Sequence, residues 1–522
     1  MTMKICQCFF TFVGFVFIST VFTGPTMVYG ETLDVEQLEI IEVTARKRRE
    51  NLQQVPLAVS SLRGVKLASY SSAGKDIRFL NTKVPSLSVE SSFGRTFPRF
   101  YIRGLGNTDF DLNASQPVSL VVDDVVQENP ILKSFPIFDV EQVEVLRGPQ
   151  GSLFGRNTPA GVVKITTVKP SKTYDAFAKV SYGSHHNIDF TGAIGTGLSE
   201  HTAIRFSALH QRQADYINVS NQALVQVDQL GGYHDSAGRL QLLYEKEAAT
   251  VLFNLHMREL DGTPMLFRAN IVQQGTQGFS DSFDAESVFH DAATNNEQSV
   301  TTYGANALLE YRLADVIVSS VSAYESAKVF SRADIDGGYG AFGTGTMGPD
   351  FIPFAAETAD GIPDHHQFTQ EFRLAGQVTE QVNYQLGLFY FTEDLTIDSF
   401  SYDTLNASQL NGYAQQQQDT QAWALFGTLG YIFTEQYSMT AGLRYSEDEK
   451  QFVAERFLTP SMLPANDYYH AEIATSDSHV SWDLSFHYAI SQDINTYGRI
   501  ANSFRAPSIQ GRLLFSEQVT VA

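Results

Sequence analysis

The sequence predicts a mainly β protein in which an N-terminal domain precedes an antiparallel transmembrane β-barrel wall, and three observations support this. Beyond residue 171, tight turns recur at 198–201, 245–248, 313–315, 378–380, 433–436 and 490–493, separated by long polar connections. Between the turns, residues alternate apolar and polar, as a wall facing lipid on one side and a polar lumen on the other requires. Charge divides the chain as well: residues 31–171 carry 17 Lys+Arg against 16 Asp+Glu, whereas 172–522 carry 18 against 42. Two regions so differently charged, meeting near Lys169 and Pro170, are expected to be separate domains.

Composition narrows the function. A net charge of −22 over 522 residues leaves no basic face for neutralising phosphates, so a nucleic-acid partner is excluded. Past residue 30 no apolar run is long enough for a transmembrane helix. Residues 1–30 read as a secretory signal: Lys4 precedes the apolar stretch 9–22, and Val28, Tyr29 and Gly30 offer a cleavage site. Both cysteines, Cys6 and Cys8, lie in this leader, so the exported chain has no disulfide to hold it together.

Residues 31–54 form a polar, mobile arm holding one short β-prone run, Ile41, Glu42, Val43, Thr44 and Ala45. An extended run of this kind can add a strand to a partner's sheet edge through backbone hydrogen bonds. In the wall, Ala176, Ala178, Val180 and Tyr182 share one face, and Ile188, Phe190 and Ile194 oppose Asn187, Asp189 and Thr191. Aromatic residues gather at strand ends, at Tyr390 and Phe391, Tyr431 and Phe433, and Tyr488 and Tyr497, where girdles at a membrane interface would place them. Residues 262–300, 332–365 and 403–418 are polar and are expected to be long external loops.

Residues 55–171 carry the most specific pattern. Val55-Pro56, Asn81 to Ser86, Ile102-Arg103-Gly104-Leu105-Gly106, Val121-Val122-Asp123 and above all Val143-Glu144-Val145-Leu146-Arg147-Gly148-Pro149-Gln150-Gly151-Ser152-Leu153-Phe154-Gly155-Arg156-Asn157 resemble the plug domain of TonB-dependent outer-membrane receptors. The run Ile41 to Ala45 resembles their TonB box, and Ser503-Phe504-Arg505-Ala506-Pro507-Ser508 resembles a barrel segment.

This resemblance implies an α+β plug, residues 55–171, inside a partial barrel, 172–522. It also implies an outer-membrane receptor of a Gram-negative bacterium, driven by TonB and its inner-membrane energising complex. The cargo it suggests first is a ferric siderophore, with glycan fragments or cobalamin-like cofactors as the alternative. A passive porin or adhesin would need neither the plug nor the TonB-like run. No resident cofactor is implied, and no nucleophile, base and orienting group assemble into a catalytic site. By family position the plug apices would offer Phe93, Arg95, Asn107, Asp109, Phe110, Gln127 and Asn129 to a polar or anionic chelate. Arg103, Arg147 and Arg156 would pair with acidic wall residues, and Gly104, Gly148, Gly151 and Gly155 would allow tight turns or close approach.

Other motifs are weaker. The 343–348 segment spells GxGxxG without a βαβ unit and is read as a loop. Asp334 to Gly337 matches only part of a calcium loop, and the pairs His185-His186 and His365-His366 are placed on loop surfaces. Asp124 stands where family plugs commonly have glycine, and Pro159-Ala160-Gly161 replaces a double glycine. Family walls have 22 strands and end on an aromatic residue. Six turns give about 13 strands before Ala522, so the chain is expected to be a C-terminally truncated member that does not seal a pore alone.

Overall fold

The computed structural model describes residues 41–521 except 73, 220–226, 269–270, 274, 281–282, 291–295, 338–355, 404–407, 461–467 and 492–493. The leader, the first part of the arm and the 343–348 loop lie outside the described residues. Among the described residues no helix is long and apolar enough to cross a membrane, and Glu42–Ala522 forms one compact unit.

The plug is built on a five-stranded mixed sheet in the order Ala58–Arg63, Val140–Arg147, Gly161–Thr167, Val118–Val122 and Val125–Gln127. Runs of Val, Ile and Leu suit these strands because both sheet faces are covered. Leu62, Leu120, Val143, Val145, Val163 and Ile165 pack with Leu80 and Phe100 into the main core. The two innermost antiparallel strands are joined through the short helix Gly151–Phe154. At its end Gly155 has φ +86°, and an added Cβ would lie 2.7 Å from the Arg444 guanidinium of the wall, so glycine alone fits this turn.

Asp124, the departure from family glycine, has a positive φ of 67°, as does its neighbour Asp123 at 47°. Together they form the two-residue connection between Val122 and Val125. Aspartate is among the few side chains that tolerate this left-handed conformation.

The wall is a single antiparallel sheet whose thirteen strands, among the described residues, run in sequence order from Asp175–Tyr182 to Asn495–Ala501, the number the six turns imply. Register explains its chemistry. Phe206, Leu240 and Leu255 lie side by side across three strands and are exposed on the outward face. One residue back on each of the first and last strands, and one forward on the middle one, Arg205, Gln241 and Asn254 form the matching inward row, all buried. Strict alternation therefore gives the sheet one apolar and one polar face.

Two expectations change. Residues 357–365 and 409–418, read as loop, are strand: Glu357–Thr379 has 23 residues and Gln409–Ile432 has 24, whereas a membrane crossing needs about 9–11. The excess rises past the hydrocarbon, where neither face meets lipid, so its polar composition imitates a loop. His365 and His366 accordingly sit in a strand and point to opposite faces. His365 is buried against Glu393 at 3.1 Å, while His366 stacks with Tyr324 on the outside. The same alternation removes Phe391 from the girdle: Tyr390 faces outward, but Phe391 is fully buried in the lumen.

Candidate functional site

At the long-loop end of the wall, plug and wall enclose a cavity of about 580 Å³, within the usual range for a small-molecule site. Phe93 and Phe110 reach it from the plug, and Phe267, Phe515, Asp360 and Arg512 line it from the wall and the segment after the last strand. Phe93 is held by its tilted contact with Phe97, centroids 5.3 Å apart. Phe110 is half exposed and stands over the Arg512 guanidinium at 5.3 Å. Arg512 donates to both carboxylate oxygens of Asp360 at 2.9 Å. Just below, burial pushes the Asp111 carboxyl up to about 6 against the opposing pull of Arg512.

Of the seven apex residues expected at a ligand, the structure brings Phe93 and Phe110 to this cavity. The other five are committed to the fold. Arg95 lies over the Tyr233 ring at 3.9 Å and donates to Gln211 at 2.8 Å. Asn107 donates to the Ser115 carbonyl, and Asp109 accepts from Gln510 at 2.7 Å. Gln127 is buried beside Glu325, and Asn129 holds the turn leading to Ile131. Family position marks the loop but not which of its side chains turns inward; only the aromatic character of Phe93 and Phe110 could have distinguished them.

Ion pairs join plug to wall beside an apolar patch in which Phe97, Leu112, Ile131 and Leu132 meet Leu260, Val300 and Ile362. Arg156 pairs with Asp448, lies 3.7 Å from Glu128 and covers the Phe391 ring at 4.0 Å, as its expected role requires. Burial opposes its charge, but Glu128 and Asp448 raise its pKa above the ordinary value. Arg147 donates instead to the plug carbonyls of Ala58 and Pro85 at 3.4 Å. Arg103 is exposed at a positive-φ corner of the plug. Sequence reasoning missed the reverse pairs. Plug Asp139 is gripped by wall Arg205 at 2.7 Å, and plug Asp124 by wall Arg373 at 3.0 Å and by Lys164 at 2.8 Å. Burial would raise the Asp124 carboxyl, but Lys164, Arg373 and Lys47 hold it well below the usual range.

At the opposite, short-turn end, the segment containing Val43 and Ala45 is docked rather than projecting as a mobile arm. Both side chains are buried in an apolar cluster with Val55, Val121, Leu146 and Val162. Glu42–Val43 pairs with Glu50–Asn51. The Thr44 amide and hydroxyl donate to Glu144 at 2.6 and 2.9 Å, and Lys164 donates to the Thr44 carbonyl at 3.2 Å. Lys47 binds Glu371 of the wall at 2.6 Å. Burial pushes the Lys47 ammonium down to about 8 despite that partner. The cause of docking is apolar burial, which outweighs the mobility suggested by the polar residues around it. The partial calcium-loop motif is also committed: Asp334 meets His290 at 3.1 Å, and Asp336 accepts from the Ala356 amide.

A plug joined by ion pairs to an antiparallel wall with an apolar outer face defines a plugged membrane wall. Residues 51–162 match the TonB-dependent Receptor Plug Domain, and residues 262–517 match the TonB dependent receptor-like beta-barrel. The chain belongs to the TonB-dependent receptor family, whose members are outer-membrane receptors rather than enzymes. It is 30% identical to the Pesticin receptor of Yersinia enterocolitica over 229 residues, 42% of this chain and 31% of that protein. To the Ferrioxamine receptor of Yersinia enterocolitica it is 26% identical over 150 residues, 24% of this chain and 20% of that one. The fold resembles the ferric yersiniabactin uptake receptor FyuA from Yersinia pestis with a TM-score of 0.70 at 18% identity, covering 87% of this chain and 66% of that one. The chain spans about a third of the length of the first curated relatives it matches.

Proposed function

We propose that this chain serves active uptake of a scarce metal chelate, most simply a ferric siderophore, across the outer membrane. Chelate enters the cavity between Phe93 and Phe110, and TonB, energised from the inner membrane, takes hold of the Ile41 to Ala45 run and displaces the plug. One observation carries this reading. Glu144, on the plug strand Val140–Arg147, binds Thr44 directly, so force on the run reaches the sheet whose far loops floor the cavity. The name of one relative, a receptor for ferrioxamine, supports a chelate cargo.

Val43→Pro tests the coupling, because it removes a backbone donor and forbids continuous strand pairing. In cells relying on this receptor for iron, uptake of radiolabelled ferric chelate is expected to stop while binding at the cell surface persists. Unchanged uptake at normal expression would remove the assignment of the run.

A further inference from the structure

We propose that the external cavity selects an uncharged chelate bearing aromatic rings, with the Asp360–Arg512 pair discriminating against anions. This rests on the uptake reading above and names its cargo class. It departs from the polar or anionic chelate that the apex residues of the sequence suggest.

Two features of the cavity support the assignment. Its walls present four phenylalanine rings, Phe93, Phe110, Phe267 and Phe515, arranged around a space large enough to seat flat ligands against them. Among the described lining residues, its charges are one cation and one anion, and these are joined at 2.9 Å through the same guanidinium nitrogen. Neighbouring arginines are likewise engaged: Arg332 with Glu357 at 2.6 Å and stacked on Tyr402 at 3.6 Å, and Arg95 with Asp235 at 3.5 Å.

Asp360 holds one guanidinium nitrogen and leaves Nε without a partner among the described residues, so an incoming polyanion that used Arg512 would stand beside the Asp360 carboxylate, and one that drew Arg512 away would leave that largely buried carboxylate without its cation. Breaking one side of such a pair is costly, because the abandoned charge is left without compensation. An uncharged ring leaves the pair intact and finds Phe110 already positioned over the guanidinium. Specificity therefore comes from a repulsive element, the Asp360 charge, as much as from the rings.

Four ferric complexes separate charge from aromaticity: tris(8-hydroxyquinolinate), uncharged and aromatic; tris(acetohydroxamate), uncharged and aliphatic; tris(catecholate), trianionic and aromatic; and citrate, anionic and aliphatic. Binding of each to the purified whole chain in detergent is measured by titration calorimetry. The quinolinate complex should bind roughly tenfold or more tighter than the other three. Phe110→Ala should erase most of that advantage while leaving the acetohydroxamate complex within about twofold. Asp360→Asn frees Arg512 and should raise affinity for the catecholate complex by roughly tenfold, a gain that loss of structure could not produce. Tighter binding of the catecholate or citrate complex to the unaltered chain would overturn the selectivity while leaving a chelate receptor. Binding of none of the four would remove the chelate site itself, and this inference with it.

Discussion

Plug and wall are both β-rich, yet they sort their residues in opposite senses. The plug buries Leu62, Leu120, Val143 and Ile165 inside and turns charges such as Asp124 and Arg156 outward to the wall. The wall sends Phe206, Leu240 and Leu425 outward and keeps Arg205, Gln241 and Arg444 inside. Where the two meet, hydrogen bonds and ion pairs stitch much of the boundary, and an apolar patch joins Phe97, Leu112, Ile131 and Leu132 of the plug to Leu260, Val300, Val329 and Ile362 of the wall. The ionic part of this boundary can exchange its bonds for bonds to water, whereas the apolar patch would have to expose its area. A plug seated this way is held in register by pairs such as Arg156 with Asp448 and Asp139 with Arg205.

The largest test of this contrast strikes the plug alone. At Gly161, φ is +151° and an added Cβ would stand 2.1 Å from the Leu146 carbonyl on the adjoining strand. Gly161→Val should cost roughly 4 kcal/mol or more by overpacking and backbone strain combined. Limited proteolysis is expected to cut the plug while the wall stays resistant; equal loss of both would show that the two do not sort independently.

A matched pair of truncations sharpens the same contrast. Leu120→Ala, fully buried in the plug, should lower stability by about 2–5 kcal/mol. Leu425→Ala, 54% exposed on the outward face, should lower it by less than about 1 kcal/mol, since it leaves no cavity in a packed core. Thermal denaturation in detergent reads both, and equal losses would contradict the outward assignment of Leu425.

A further effect is a gain. The folded Asp111 carboxyl titrates at about 6, above its ordinary 3.8. Between those values the folded chain keeps a proton that the unfolded chain releases, so stability falls as pH rises through this window and the loss persists above it. Asp111→Asn keeps the side-chain oxygen that accepts the Leu112 amide and should stabilise the chain at neutral pH by up to roughly 3 kcal/mol. Melting curves should converge below about pH 4. An asparagine variant less stable at neutral pH would show that the charge is needed.

Much of this was legible in advance where the physics is local. Turn chemistry and period-two alternation predict the thirteen strands, and the Val143 to Asn157 pattern predicts the plug, because strand faces and tight turns depend on residues near in sequence. Legibility failed where strands outgrow the membrane, as at 409–418, since Gln416 and Gln418 turn inward to Asp111 and Asn113 of the plug while the outer face has left the lipid, which gives the strand the composition of a loop. It failed again at Phe391, where one step in register decides between lipid and lumen. Asp124 and Asp139 could not be paired in advance, because their partners Arg373 and Arg205 are respectively 249 and 66 residues away.

The sequence by itself determined the number of wall strands, the alternation of apolar and polar faces along them, and that a plug precedes a wall. Only the tertiary structure decided that Phe93 and Phe110 share a cavity with Arg512, that Arg512 is already bound by Asp360, and that Val43 and Ala45 are docked. Alternation and turns are encoded within a few residues, but the charge a ligand meets depends on which side chains the folded plug and wall bring together.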